Sequence, residues 1–295
     1  MTKQSLFKAS FEESLNLEDD GFLQYQKKDY YNKLGRAFKK GKPSFWFSVQ
    51  TLIFSLLFPI GVNFMLFVFA MSLHDSDPKD LRLPISQHPI LTVEVYLICL
   101  LIWLLMVLMG KFIKRTYILP YRYRFHIITF MIWFMLEFNL LAITISLPVL
   151  SIWGILALSG FLVLLTYLML SSEIRSLKKR IYGKIQSLTL QDKIANMISV
   201  YGMGILGIGV IINFILKSFS IKFSTSIEGI GLFLTWIVLN IVLIAILTFM
   251  EFPFFLEAFY KWKYPEEYRQ WEGKTVEEWY GKKYLKKHKE LLENE

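Results

Sequence analysis

FHIITFMIWFMLEFNLLAITISLPVLSIWGILALSGFLVLLTYLML, residues 125–170, decides the fold. Among Asp, Glu, Lys and Arg it contains one residue, Glu137. A helix needs about 20 consecutive apolar residues to cross a bilayer core of about 30 Å. The stretch is long enough for two such helices, 125–147 and 150–171. Pro148 between them cannot continue a helical hydrogen-bond ladder, so the spacing predicts a tight turn near Leu147–Ser151.

Working outward, four further apolar runs have the same character: 46–72, 91–110, 194–216 and 229–250. Of the 295 residues, 54% are hydrophobic and only 19% charged. A soluble domain carries about 45–50% apolar and about 25% charged residues. More telling is the distribution, with apolar residues in long blocks and charges between them. Six such blocks leave too little polar chain to enclose them as a soluble core. The expected fold is therefore an all-α, polytopic transmembrane bundle of six spans. It divides into an N-terminal tail (1–45), a membrane domain (46–250) and a C-terminal tail (251–295). The first apolar run begins only near Phe45, after a charged segment, so the reading includes no cleavable signal peptide.

Short loops rich in lysine and arginine stay on the cytoplasmic side. Segment 21–45 carries seven basic residues against one acid, loop 111–124 five, loop 172–193 six and the tail 251–295 nine. Counting the first 20 residues as well, 29 basic residues fall on this side and 4 on the other. Both termini are thus expected in the cytoplasm of a bacterial cytoplasmic membrane. The net charge of +9 is mostly this topological signal and gives no reason to expect nucleic-acid binding. Basic loops also suit anionic lipid headgroups.

Residues 1–20 read as a mobile tail. Residues 22–42 read as a basic amphipathic helix in the membrane interface, ended by Gly41 and Pro43. Span 1 carries Pro59, Gly61 and Asn63 near its middle, where a kink is expected. Span 5 puts Ser199, Gly202, Gly209 and Asn213 on one stripe, a helix-packing face of small residues. In the tail, Pro265 followed by Glu266 and Glu267 starts a short helix, and Gly273 stops it. Thr275 and Glu278 have capping-box spacing, which predicts a second helix over 276–291. Trp262, Trp271 and Trp279 with four tyrosines make this tail aromatic enough to pack under the membrane domain or against a partner.

Glu137 is the sharpest single feature. A carboxylate in mid-membrane must be paired, hydrated or protonated. It lies about 19 Å from the inner end of its span, and Pro59, Asn63 and Asn240 fall at comparable depth. These four residues form the candidate intramembrane polar site, read either as a coupling site or as a hydrogen-bonded structural group. Catalytic patterns are missing: the sequence has no H-E-x-x-H, no G-x-S-x-G and no G-x-x-x-x-G-K-[ST] phosphate loop. The only cysteine is Cys99, and the four histidines lack metal-ligand spacing. No catalytic residue, metal or cofactor is expected.

Six spans, both ends inside, an interfacial helix before span 1 and short basic inner loops resemble the layout of ABC-2-type export permeases. That resemblance implies a transport subunit that works with a separate ATPase, contacted through loop 111–124 and helix 22–42. A non-transporting immunity, regulatory or assembly factor suits the aromatic tail and single buried acid equally well. The expected partners are the bilayer, a cytoplasmic ATPase or another membrane protein, and a second copy of the chain.

Overall fold

The structure, a computed structural model, describes residues 5–18, 24, 28, 45–77, 79, 81, 85–86, 88–110, 115–183 and 225–291. Span 194–216 lies outside the described residues, with its packing residues Ser199, Gly202, Gly209 and Asn213. So does nearly all of the helix expected over 22–42. Among the described residues the chain is helical and holds no strand. Four helices are long and apolar enough to cross a membrane: α2 (Phe45–Asp75), α4 (Thr116–Pro148), α5 (Leu150–Tyr182) and a helix over Phe233–Lys263. A shorter apolar helix, α3, covers Val93–Gly110. By length and composition the protein is a membrane protein.

Pro59 shapes α2. It has no N–H to donate and its ring crowds the preceding turn. The helix answers by widening into a π-turn over Leu56–Val62. A Cβ at Gly61 would stand 3.0 Å from the Leu56 carbonyl oxygen, so the small residue lets the wide turn close.

Helices α4 and α5 form a hairpin. Ser151 takes φ 58°, ψ 170°, a conformation outside any helix. A straight 64-residue helix would run about 95 Å. Instead Tyr117, at one end, shares a buried cluster with Leu177 and Ile181 at the other. Near the turn, Ala142 and Leu158 pack together with Phe138 and Leu162. The loop before α3 is held to α4, where Ser86 N–H donates to the Thr144 carbonyl at 3.1 Å.

Helix α6 (Thr225–Ala245) packs on this hairpin through Trp236 and Ala245. It does not stop near residue 250. A second π-turn over Ile246–Glu251 carries the chain directly into α7 (Phe252–Lys263). Two short helices follow, α8 (Pro265–Trp271) and α9 (Val276–Tyr280). Thr275 and Glu278 cap α9 reciprocally, as their spacing requires. The helix expected over 276–291 is not continuous. It breaks at Gly281, which takes φ 81° and packs so tightly on Thr116 that any Cβ would overlap the threonine hydroxyl. A further turn, α10 (Lys282–Leu285), follows.

The N-terminal segment differs from the mobile tail its composition suggests. Helix α1 (Phe11–Leu15) is capped by Ser10 and Glu13. Leu6, Ala9 and Leu17 enter one core with Leu177, Ile181, Leu256, Tyr260 and Trp279. The buried Ser14 hydroxyl meets the Tyr268 hydroxyl at 2.9 Å. The apolar residues of this segment are few and scattered, so their shared partner surface is complete only after α5 and the C-terminal helices fold together.

Candidate intramembrane polar site

Glu137 is fully buried on α4. The Trp133 indole N–H, one turn earlier, donates to its Oε1 at 2.5 Å. Its Oε2 is buried with no hydrogen-bond partner among the described residues. Trp133 belongs to an aromatic cluster drawn from three helices. The Trp133 ring lies 5.8 Å from Trp103 and 6.0 Å from Tyr96 of α3, and Phe67 of α2 stacks on Tyr96 at 5.5 Å. Tyr96 and Cys99 lie within electrostatic reach of the carboxyl group.

Asn63 is also fully buried. Its Nδ2 donates to the Pro59 carbonyl at 2.7 Å, a local bond across the π-turn of α2. Its Oδ1 has no partner among the described residues. Ile60 and Phe67, which flank Asn63 on the same helical face, pack into the cluster that contains Trp133. Asn63 and Glu137 therefore border one aromatic region, with Pro59 in the adjoining π-turn. Trp103 Nε1, in the same region, is a buried donor without a partner among the described residues.

Asn240 does not join them. Residues two apart on a helix point about 200° away from each other. Asn240 meets Asn139, on the face of α4 opposite Glu137. The two amides bond reciprocally: Asn139 Nδ2 donates to Asn240 Oδ1 at 3.1 Å, and Asn240 Nδ2 donates to Asn139 Oδ1 at 2.8 Å. Trp236 Nε1 adds a third bond to Asn139 Oδ1 at 2.6 Å. The single patch expected at mid-membrane is thus two sites back to back. Depth alone groups these residues, whereas helical phase separates them.

A third polar contact lies nearer the end of the bundle that carries the termini. The Arg124 guanidinium grips Glu251 through Nε, at 2.8 and 2.9 Å from its two oxygens, and through Nη2 at 2.6 Å. Glu251 is buried and closes the second π-turn. The pair joins α4 to α6 and α7 with planar, two-toothed geometry. Arg124 reads as a loop charge in the sequence, and only its partner reveals its role.

Chemically, the Asn139–Asn240–Trp236 trio has its donors and acceptors matched and acts as a helix clasp. The Glu137–Asn63 region has two unmatched acceptors. The Glu137 oxygen can receive a proton, and both oxygens can accept a hydrogen bond from a small ligand. Among the described residues no group of His, Cys, Asp and Glu could hold a metal ion. Comparison with protein-family models, with curated proteins and with solved structures gave no match.

Proposed function

We propose that the protein is a transport-type subunit of a bacterial cytoplasmic membrane, an ABC-2-like permease worked by a separate ATPase. One observation carries the reading. A helix interrupted at mid-membrane by a π-turn lies beside a buried carboxyl group that keeps an unmatched oxygen. Irregular helix at membrane depth is tolerated where protein or a cavity receives the freed groups, and transporters place their sites at such breaks. π-Turns concentrate at functional positions for the same reason. In this reading Glu137 and Asn63 form the site that changes occupancy during the cycle, and the Asn139–Asn240 clasp holds the scaffold. The chain has no phosphate loop, so energy comes from a partner.

The proposed topology has six spans with both termini in the cytoplasm. The packing of residues 5–18 on α7–α9 supports an even number of crossings. Reporter fusions at each terminus and within loop 73–90 test this directly. Equal signals from all three positions overturn it.

The aromatic terminal module favours a second reading, an immunity, regulatory or assembly factor that binds another protein. Gentle purification from the native host separates the two. A stoichiometric ATPase supports the permease, provided that Glu137→Gln then abolishes transport by the reconstituted complex. Recovery with a non-ATPase partner, or alone, removes the permease reading.

A further inference from the structure

Among the described residues three carboxyl groups are 4% exposed or less: Glu137, Glu251 and Glu257. Two of them meet a cation. Arg124 Nη2 lies 2.6 Å from Glu251, and Lys261 Nζ lies 3.1 Å from Glu257. Among the described residues Glu137 meets none. Its one bond there comes from the Trp133 indole, a neutral donor. No lysine, arginine or histidine among the described residues acts on it through space. Tyr96 and Cys99 of α3 are the titratable groups within its reach. Helix α2 brings the neutral Asn63 to the same region, and α6 meets the opposite face of α4 through the neutral Asn240 and Trp236.

The rest of the membrane domain cannot balance a charge at Glu137 either. The apolar runs 46–72, 91–110, 125–147, 150–171, 194–216 and 229–250 contain no lysine and no arginine. His126 is the one histidine in them, and it lies about 16 Å before Glu137 along α4. An unpaired carboxylate in such surroundings takes up a proton rather than stay charged.

Hydrogen bonding favours the same state. Among the described residues the region leaves two acceptors unmatched, Glu137 Oε2 and Asn63 Oδ1, and one donor, Trp103 Nε1. The Asn63 amide nitrogen is already engaged by the Pro59 carbonyl. A proton on Oε2 supplies a second donor and removes the charge. A hard metal cation takes about 6 oxygen ligands, far more than the two unmatched oxygens here.

We infer that the occupant of the Glu137–Asn63 site is a proton. In the packed bundle Glu137 is a neutral carboxylic acid, with Oε1 accepting the Trp133 indole N–H and Oε2 carrying the proton. Loading forms one O–H bond at Oε2 with a proton from water, and unloading returns that proton to water. The neutral state of Glu137 stands apart from the transport reading, whereas exchange of its proton during a cycle rests on that reading.

Infrared spectroscopy of the full chain tests this, at neutral pH in a detergent free of carbonyl groups. A protonated carboxyl group absorbs in its own carbonyl-stretch window, above the amide band, and shifts down in heavy water. Subtracting the Glu137→Gln spectrum from that of the unaltered protein is expected to leave one such band. Trp133→Phe removes the indole bond to Oε1 and keeps the carboxyl group, so the band is expected to persist at higher frequency. If Glu137→Gln fails to fold, Trp133→Phe and the unaltered protein carry the test. Carboxylate bands in place of the carbonyl band, or a carbonyl band that neither substitution moves, overturn the inference. Loss of the band on adding sodium chloride at fixed pH, but not choline chloride, also overturns it and assigns the site to a metal cation. A band lost in Glu137→Gln, from a protein that purifies without an ATPase, keeps the neutral acid and removes only the permease.

Discussion

Glu137 and Asn139 lie two residues apart on α4, at nearly one depth, and their surroundings are opposite. Asn139 faces Asn240 and Trp236 and has its donors and acceptors matched. Glu137 lies beside an aromatic cluster, with one indole bond and one unmatched oxygen. The contrast separates polar groups that hold helices together from polar groups left available. Within lipid both kinds are retained for a reason, but only the second can change partner without unlocking the bundle.

Breaking the matched side should cost the most. Arg124→Ala leaves the Glu251 carboxylate buried and unpaired, and stability should fall by about 3–5 kcal/mol. Thermal unfolding in detergent micelles reads this out; a loss no larger than that of a surface substitution would mean the pair is hydrated. Asn139→Leu is next, at about 1–2 kcal/mol, because it strands the Trp236 N–H and the Asn240 amide together. Glu137→Gln should matter less for stability than either. The amide keeps an acceptor for Trp133 and leaves one polar atom unmatched as before, so stability should stay within about 1 kcal/mol. Destabilisation to the level of Asn139→Leu would turn the Glu137 region into a second clasp and end its role as the available site.

The smallest expected effect lies outside the membrane, where a matched carboxylate can be unmade by acid. Burial pushes the Glu266 carboxyl up, but the Tyr280 hydroxyl and the Arg269 guanidinium outweigh it and hold the group below its ordinary value of 4.5. A carboxyl group depressed in the folded state contributes stability that is present above pH 4.5 and is lost as pH falls through its folded value. Docking of α9 on α8 should therefore loosen modestly in acid, seen as faster limited proteolysis around Gly281. Glu266→Gln should flatten that pH dependence. An unchanged acid profile in the variant would assign the loosening to other carboxylates.

Much of this architecture is legible from hydrophobic blocks and punctuation. The apolar run of residues 125–170 with Pro148 announces a hairpin, and Thr275 with Glu278 announces a helix start. The candidate site is legible by residue type, since Glu137, Asn63 and Pro59 stand out in apolar surroundings. Azimuth is the information that depth omits. Asn139 sits two residues from Glu137 in the same run, and the helical period alone places it on the other face, toward a partner such as Asn240. The order of residues 5–18 has no comparable local signal. Leu6, Ala9 and Leu17 become a core face only against residues far along the chain, Leu177 and Ile181 of α5 and Leu256, Tyr260 and Trp279 of the C-terminal helices. Glu257 and Lys261 of α7 look like surface charges until their burial is known.

The bond between Ser14 and Tyr268 joins positions 254 residues apart. At a synthesis rate of about 5–20 residues per second, roughly 10–50 s separate the emergence of these two side chains. During that interval the first segment has only the α5 part of its partner surface, around Leu177 and Ile181, and stays incompletely covered. Completion of the last helices then withdraws it. Seating of the N-terminal segment thus reports that the whole chain has been made, and a truncated product lacking α7–α9 should be recognised by the early segment it leaves uncovered.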